Sequence, residues 1–300
     1  MNVVVCKGLS KQYGSHKALN DLSFTLPENK ITGLIGRNGA GKTTLLKIIA
    51  GFLHHGSGDI RVFSESPFNN LKVSANTIFI DNELSFSSGL TLFELLETAG
   101  SFYPNWDSEL AHRLFSYFSF NPNHYHGNLS KGMRSTFNMI IGLAARCPLT
   151  IFDEPTSGMD AATRKDFYRA LLKEYIAHPR TIILSSHLLG EVEDLLEDVL
   201  LIKAGQKCLH MGIEKLKEYA IGVRGKTGSV TKWLGDIDPI HVQDMGAGMT
   251  YAVIKNDRFC EELEDAKASG LELTPVSAED ICSYLTSQSK GGIDDVFSRS

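Results

Sequence analysis

Gly36-Arg37-Asn38-Gly39-Ala40-Gly41-Lys42-Thr43 constrains this chain more than any other stretch, because it reads G-x-x-x-x-G-K-[ST] and follows the apolar run Ile31 to Ile35, which predicts a strand. The glycines let the backbone turn tightly and bring its N–H groups against anionic oxygens, while Lys42 supplies a point charge and Thr43 a hydroxyl for Mg²⁺. The implied ligand is a nucleoside triphosphate, and the candidate phosphate-binding residues are Gly36, Asn38, Gly39, Ala40, Gly41, Lys42, Thr43 and Thr44. From Lys42 to Ala50 the placement of Leu45, Leu46, Ile48 and Ile49 suits a buried helix whose positive end faces the phosphates, with Gly51 as its stop.

With 300 residues and 42% hydrophobic content, the chain is long enough for one large domain and a small one. A net charge of −5 and the lack of a long Lys/Arg block leave no electrostatic footprint for nucleic acid. Five widely spaced cysteines, Cys6, Cys147, Cys208, Cys260 and Cys282, contain no C-x-x-C pair and read as buried or idle thiols in a reducing compartment. The start, Met1 to Lys7, does not read as a signal peptide. No run approaches the ~18 consecutive apolar residues that a membrane span needs; the best is Ile140 to Ala145. Any membrane role is therefore expected to come through a partner.

Along the chain, Val3 to Val5 and Leu22 to Leu26 predict strands around a turn at Tyr13-Gly14-Ser15, followed by strands at Asp59 to Phe63 and Thr77 to Ile80. Thr91 to Tyr103 carries apolar residues at helical spacing, and the aromatic-rich stretch from Phe102 to Tyr125 reads as helical pieces broken at Pro104 and Pro122. An inserted helical lobe over about 83–146 is the expectation. Helix Ser130 to Arg146, strand Leu149 to Phe152, helix Ala161 to Ile176, strand Thr181 to Leu184, helix Leu188 to Leu196 and strand Val199 to Ile202 then alternate, which predicts an α/β fold with a largely parallel sheet. After about Gly205 the glycine-interrupted sequence changes character. Strand Tyr251 to Ile254 and helices Phe259 to Ala268 and Ala278 to Leu285 predict a small α+β domain over 206–300, behind a first domain over 1–205, and Ser289 to Ser300 reads as frayed.

Asp153-Glu154 ends a predicted strand, and two adjacent carboxylates there need a reason, since their repulsion is not free. A cation and a water provide one. In a doubly wound sheet, ligands gather at the carboxyl ends of strands, which brings Asp153 toward Thr43 and the Mg²⁺ it helps to hold. Glu154 is then placed to accept a proton from the water attacking the γ-phosphate. His187 follows an apolar strand and the pair Ser185-Ser186, a position that suits sensing of the γ-phosphate. His54, His55, His124 and His126 lack the Cys or carboxylate spacing of a metal site and read as surface residues.

Taken together, these residues resemble the ATP-binding subunit of an ABC transporter over about Val3 to Lys203, with features of its bacterial exporter-like branch. Leu129-Ser130-Lys131-Gly132-Met133 stands where that family has its LSGGQ signature, Asp153 to Gly158 matches the Walker B extension, Ser157-Gly158-Met159-Asp160 the D-loop and His187 the switch histidine. The resemblance implies a P-loop ATPase core with a β-rich N-terminal subdomain and ATP and Mg²⁺ as cofactors. It further implies a nucleotide site split between copies, with Lys42, Glu154 and His187 acting in catalysis, Ser130, Gly132 and Asp160 meeting nucleotide across the interface, and Tyr13 stacking on adenine. Asn82 occupies the position of the Q-loop glutamine and is expected beside Thr43 and Asp153 at the metal, one methylene short. Lys131 and Met133 depart from the signature, and Lys131 adds positive charge near the nucleotide.

The implied function is ATP hydrolysis that powers transport, in the export direction, through a separate integral-membrane permease docked on the helical lobe. Phe102, Tyr103, Trp106, Phe115, Tyr117, Phe118 and Phe120 are the candidates for that docking groove, against the plainer reading that most of them are core. A second ATP-binding subunit, identical or paralogous, completes the site, and the chain is expected in the cytoplasm on the inner face of the membrane. The competing reading is an ABC-type ATPase acting on DNA or ribosomes. Gly36 to Leu129 leaves no room for a long coiled coil, and the chain carries a single cassette, both of which weigh against it.

Overall fold

β1 (Asn2–Tyr13) and β2 (His16–Pro27) pair antiparallel and close on the turn where Tyr13 meets His16. Leu22, Phe24 and Leu26 on β2 alternate with period two and are buried together with Val4, Cys6 and Leu9 of β1, whose spacing shifts at an irregularity between Cys6 and Leu9. β3 (Ile31–Ile35) is buried at every position, as a central parallel strand must be. It runs into the cradle and then α1 (Lys42–Ile49), where Leu45, Leu46 and Ile48 are fully buried. Each such side chain contributes roughly 1.5–3 kcal/mol, enough to seat a short helix that propensity alone would not hold. β4 (Ser57–Val62) pairs with β1 and completes a three-stranded antiparallel sheet of order β2-β1-β4. The computed structural model describes residues 1–257 and 260–287; Ser289 to Ser300, expected to fray, and Phe259 lie outside the described residues.

α2 (Leu71–Asn76) leads into β5 (Thr77–Ile80), after which the chain leaves the sheet for the helical lobe. α3 (Leu92–Phe102) opens on a capping box between Thr91 and Glu94, α4 (Ser108–Tyr117) on an Asp107 cap, and α5 (Lys131–Ala144) on a Ser130 cap. Arg146, just past α5, bonds Asp107 at 2.6 Å and Glu174 at 2.7 Å, so one guanidinium joins the lobe to the next core helix. The chain then returns through β6 (Leu149–Asp153), α6 (Ala161–Ala177), β7 (Thr181–Ser186), β8 (Asp198–Lys203) and β9 (Gln206–Gly212). The six-stranded sheet has the order β5-β6-β7-β3-β8-β9 and is parallel except for the β8–β9 hairpin at its edge. This order sets the carboxyl ends of β6 and β7 beside that of β3, where the cradle begins.

The helix expected over Leu188 to Leu196 is instead a pair of 3₁₀ turns, Leu189–Glu191 and Glu193–Leu195. Leu189, Val192, Leu195 and Leu196 are buried, a pattern that either helix type satisfies, but the N–H groups of Val192, Leu195 and Leu196 bond to carbonyls three residues back, which closes 3₁₀ turns. The expectation that His126 lies on the surface also fails. His126 is 4% exposed, packs edge-on to Phe86, and shares a 2.8 Å hydrogen bond with Asn138. Burial holds its imidazole below the ordinary pKa of 6.5, with the Asn138 bond working against that shift and Arg134 adding to it.

The chain divides into two compact units, Met1–Ile213 and Glu214–Ser300. The division falls later than Gly205 because β9 turns back there and pairs along β8. After α7 (Ile213–Lys217), the second unit consists of β10 (Ala220–Lys226), α8 (Thr227–Leu234), β11 (His241–Gly246), β12 (Met249–Lys255), α9 (Cys260–Ala268), β13 (Glu272–Pro275) and α10 (Ala278–Thr286). Its sheet, β11-β12-β10-β13, is antiparallel throughout and buries Val223, Val230, Ala252 and Ile254. Cys6, Cys147 and Cys282 are buried and Cys208 is exposed, none of them in a disulfide; burial pushes the Cys6 and Cys147 thiols up to about 12.

Candidate functional site

The cradle from Asn38 to Thr44 floors a cleft of about 440 Å³, with Tyr13 and His16 on one side and Glu154 on another. Gly41 has φ +102°, and a Cβ there would lie 2.4 Å from the Ala18 carbonyl oxygen, so both the turn and the close approach to β2 demand glycine. Lys42 is 5% exposed; its ammonium donates to the Gly36 carbonyl at 2.8 Å and lies 3.2 Å from Glu154 Oε1. A buried lysine at the positive end of α1 makes the floor strongly electropositive, and its carboxylate partner Glu154 comes from the far wall. The Tyr13 ring is 47% exposed, with Lys11 Nζ 5.4 Å from its centroid.

Opposite the cradle, β6 ends at Asp153, which is 5% exposed. Thr43 Oγ1 donates to Asp153 Oδ2 at 2.6 Å, and Ser185 Oγ donates to Asp153 Oδ1. The same Ser185 oxygen accepts the Glu154 N–H at 2.9 Å. Glu154 itself has φ +47°, a left-handed conformation that a residue with a Cβ adopts only under constraint. His187 Nδ1 lies 3.5 Å from Glu154 Oε1, so the carboxylate sits between lysine and imidazole. Lys42, Thr43, Asp153, Glu154 and His187, chosen from sequence, are thus gathered at one point. Ser185 was missed. The signal for it is the parallel register, which sets Ser185 directly beside Asp153 once β6 and β7 are taken as neighbours.

Four expected site residues stand away from this point. Asn82 does not face Thr43: its Nδ2 donates to the Glu154 carbonyl at 3.1 Å, and its Oδ1, the atom that would ligate a cation, is 3.2 Å from the Ser135 hydroxyl. Ser130 and Gly132 do not line the cleft of their own chain. Ser130 caps α5 by accepting the Met133 N–H at 3.3 Å, and a Cβ on Gly132 would lie 2.4 Å from the Gly158 carbonyl, so the signature turn packs directly on the loop after Glu154. Asp160 caps α6, taking the Ala162 and Thr163 N–H groups and the Thr163 hydroxyl, and those Thr163 bonds hold its carboxyl below the usual range.

A second cavity of about 630 Å³ lies beside the lobe, with Phe52, Phe79, Phe86 and Tyr103 on its walls and Lys47, Asp81 and Glu83 at its rim. Of the seven aromatics expected to form a groove, only Tyr103 lines it. Phe115 and Phe120 are buried with Phe137 in the lobe core, and Phe102 and Tyr117 are exposed elsewhere. Burial lifts the Asp81 carboxyl, and Lys47 at 3.8 Å pulls it back. Among the described residues, no helix is long and apolar enough to cross a membrane.

Residues 19–157 match the ABC transporter family. The chain is 31% identical over 212 residues to the ABC transporter ATP-binding protein NatA of Bacillus subtilis (strain 168), covering 67% of this chain and 85% of that one. It is 30% identical over 221 residues to the bacitracin transport ATP-binding protein BcrA of Bacillus licheniformis, covering 72% of each. Among solved structures, an ATP-binding subunit of an ABC transporter superposes with a TM-score of 0.64 at 24% identity, over 72% of this chain and 92% of that one, a likeness of fold.

Proposed function

We propose that this chain, which belongs to the ABC transporter ATP-binding proteins, hydrolyses ATP in a site shared by two copies and so drives a separate membrane permease. The observation that carries the reading is the buried Lys42 at the head of α1 facing the Asp153–Glu154 strand end, a pocket floor built for a triphosphate and a wall built to activate water. The cradle N–H groups and Lys42 hold the phosphates, Tyr13 offers its exposed ring to adenine, and Glu154 accepts the proton of the attacking water, with His187 beside it. Thr43 and Asp153 present hard oxygen ligands 2.6 Å apart and suit Mg²⁺, with nucleotide phosphates and water as its remaining ligands; Asn82 adds nothing to that set. When bound, Mg²⁺ neutralises phosphate charge as it develops in phosphoryl transfer.

Ser130, Gly132 and the first turn of α5, which has no acidic residue, point to the second half of the site. They lie off their own cleft and meet the triphosphate in the cleft of a facing copy, so ATP joins the two and hydrolysis releases them. Asp160, engaged as a helix cap, orders the loop between the two halves. The cavity with aromatic walls beside the lobe takes a helix of the permease, which holds the chain on the cytoplasmic face of the membrane. Export is the direction we assign, supported by the lysine-bearing signature and by likeness to a bacitracin transport protein. Replacing Glu154 by Gln tests the reading: it should abolish turnover, retain ATP affinity and trap a dimer visible by size exclusion, whereas a variant that still hydrolyses at the parent rate removes Glu154 from the role of base.

A further inference from the structure

Glu154 carries a left-handed backbone at the residue on which the proposed chemistry depends, and such a conformation persists only where its surroundings over-determine it. Both flanking peptide groups are held. On the amino side, the Glu154 N–H bonds to Ser185 Oγ, itself fixed by Asp153. On the carboxyl side, the Glu154 carbonyl accepts the Ser157 N–H at 3.2 Å within its turn and the Asn82 amide at 3.1 Å from outside it. The carbonyl can only accept, so the Asn82 NH₂ faces Glu154 and its oxygen faces Ser135. Ser135 has a single proton and three acceptors around it: Asn82 Oδ1 at 3.2 Å, the Lys131 carbonyl at 3.1 Å and the Ser157 carbonyl at 3.0 Å. Its hydroxyl, 6% exposed at the residue level, is the meeting point of the strand end after β5, the signature helix and the loop after Glu154.

We propose that Asn82 is a positioning residue rather than a metal ligand: its amide clamps the Glu154 backbone so that the carboxylate is aimed, and Ser135 ties that clamp to the signature helix of the same chain. The inference rests on the reading of Glu154 as the base. Movement of the signature helix against a partner's nucleotide alters where the Ser135 proton goes, and through Asn82 it alters the hold on Glu154.

Asn82→Asp separates the two roles, since a carboxylate is a better cation ligand than an amide yet has no N–H to offer the Glu154 carbonyl. With the full chain at concentrations that allow dimers, steady-state ATPase is measured against ATP and, separately, against Mg²⁺. Asn82→Asp and Asn82→Ala should each lower kcat about tenfold or more, with the half-saturating Mg²⁺ and the KM for ATP within about twofold of the parent. Ser135→Ala should lower kcat less, and combining it with Asn82→Ala should cost no more than Asn82→Ala alone, because the two act in series. Asn82→Asp with parental kcat, or a tighter Mg²⁺ requirement for it, or loss in Asn82→Ala recovered by excess Mg²⁺, overturns the proposal. So does a simple product of the two losses in the double variant. Melting curves show whether any variant loses its fold, and Ser135→Ala keeps the series decisive if an Asn82 variant does. Parental rates in the Asn82 variants alongside an inactive Glu154→Gln overturn only the positioning role; an active Glu154→Gln overturns the base.

Discussion

The cradle and the signature turn lie in the same unit and are both helix starts, yet one is finished and the other is not. At the cradle, α1 begins on a buried lysine that already has a carbonyl and a carboxylate to bond, and Thr43 is already locked to Asp153. At the signature, α5 begins on the exposed Ser130, with Met133 40% exposed and nothing acidic in the first turn to balance the helix dipole. The first makes a pocket by itself; the second presents donors outward. On the proposed reading, the difference teaches that a site can be half preorganised, with binding assigned to one chain and completion to another.

The largest effect expected from breaking this contrast is on the finished side. Lys42→Ala removes the buried cation and leaves Glu154 with only His187 beside it, and should weaken ATP binding by about a hundredfold or more, measured by calorimetric titration. Gly132→Ala attacks the unfinished side: a Cβ 2.4 Å from the Gly158 carbonyl forces the turn apart at a cost of about 1–3 kcal/mol. Nucleotide affinity of the single chain should stay within about twofold while ATP-dependent dimerisation and turnover fall about tenfold or more, a split visible by titration and analytical ultracentrifugation. Equal losses of affinity and turnover would mean that the two sides are not separable. Ser130→Ala is milder, removing a cap worth about 1 kcal/mol and one hydroxyl from the outward face. Melting should shift by a few degrees, and the dimer should weaken more than the monomer.

The smallest effect concerns the support beneath the signature. His126 is neutral when buried, with its folded pKa held below 6.5, so the unfolded chain takes up the proton first as the pH falls. The stability it confers is therefore complete above about 6.5 and is lost as the pH falls through the lower, folded value. Chemical denaturation from pH 8 to pH 5 should show this slope, and His126→Phe should flatten it; an unchanged slope would assign the loss to other groups.

What was legible in the sequence divides along the same line. The cradle, the strand before it and the acid pair were readable because each is local: glycine spacing, an apolar run, two carboxylates at a strand end. The parallel sheet followed from alternation of strands and helices. Asn82 was placed in sequence but not in role, because the direction of its amide depends on Ser135 and Glu154, both far along the chain. Ser185 became visible only through a strand register. His126 carried no signal of burial because it sits in a short 3₁₀ turn, and its aromatic neighbours Phe86 and Phe137 arrive from either side in sequence. β10 was missed because Gly222 and Gly225 interrupt its apolar run, and β11 because it is an exposed edge strand with no apolar run to read.

The contact between Lys42 and Glu154 has an operational consequence. On the reading proposed above, the ammonium that would grip the tail of a nucleotide is the one already 3.2 Å from the acid, so fuel and acid draw on a single cation.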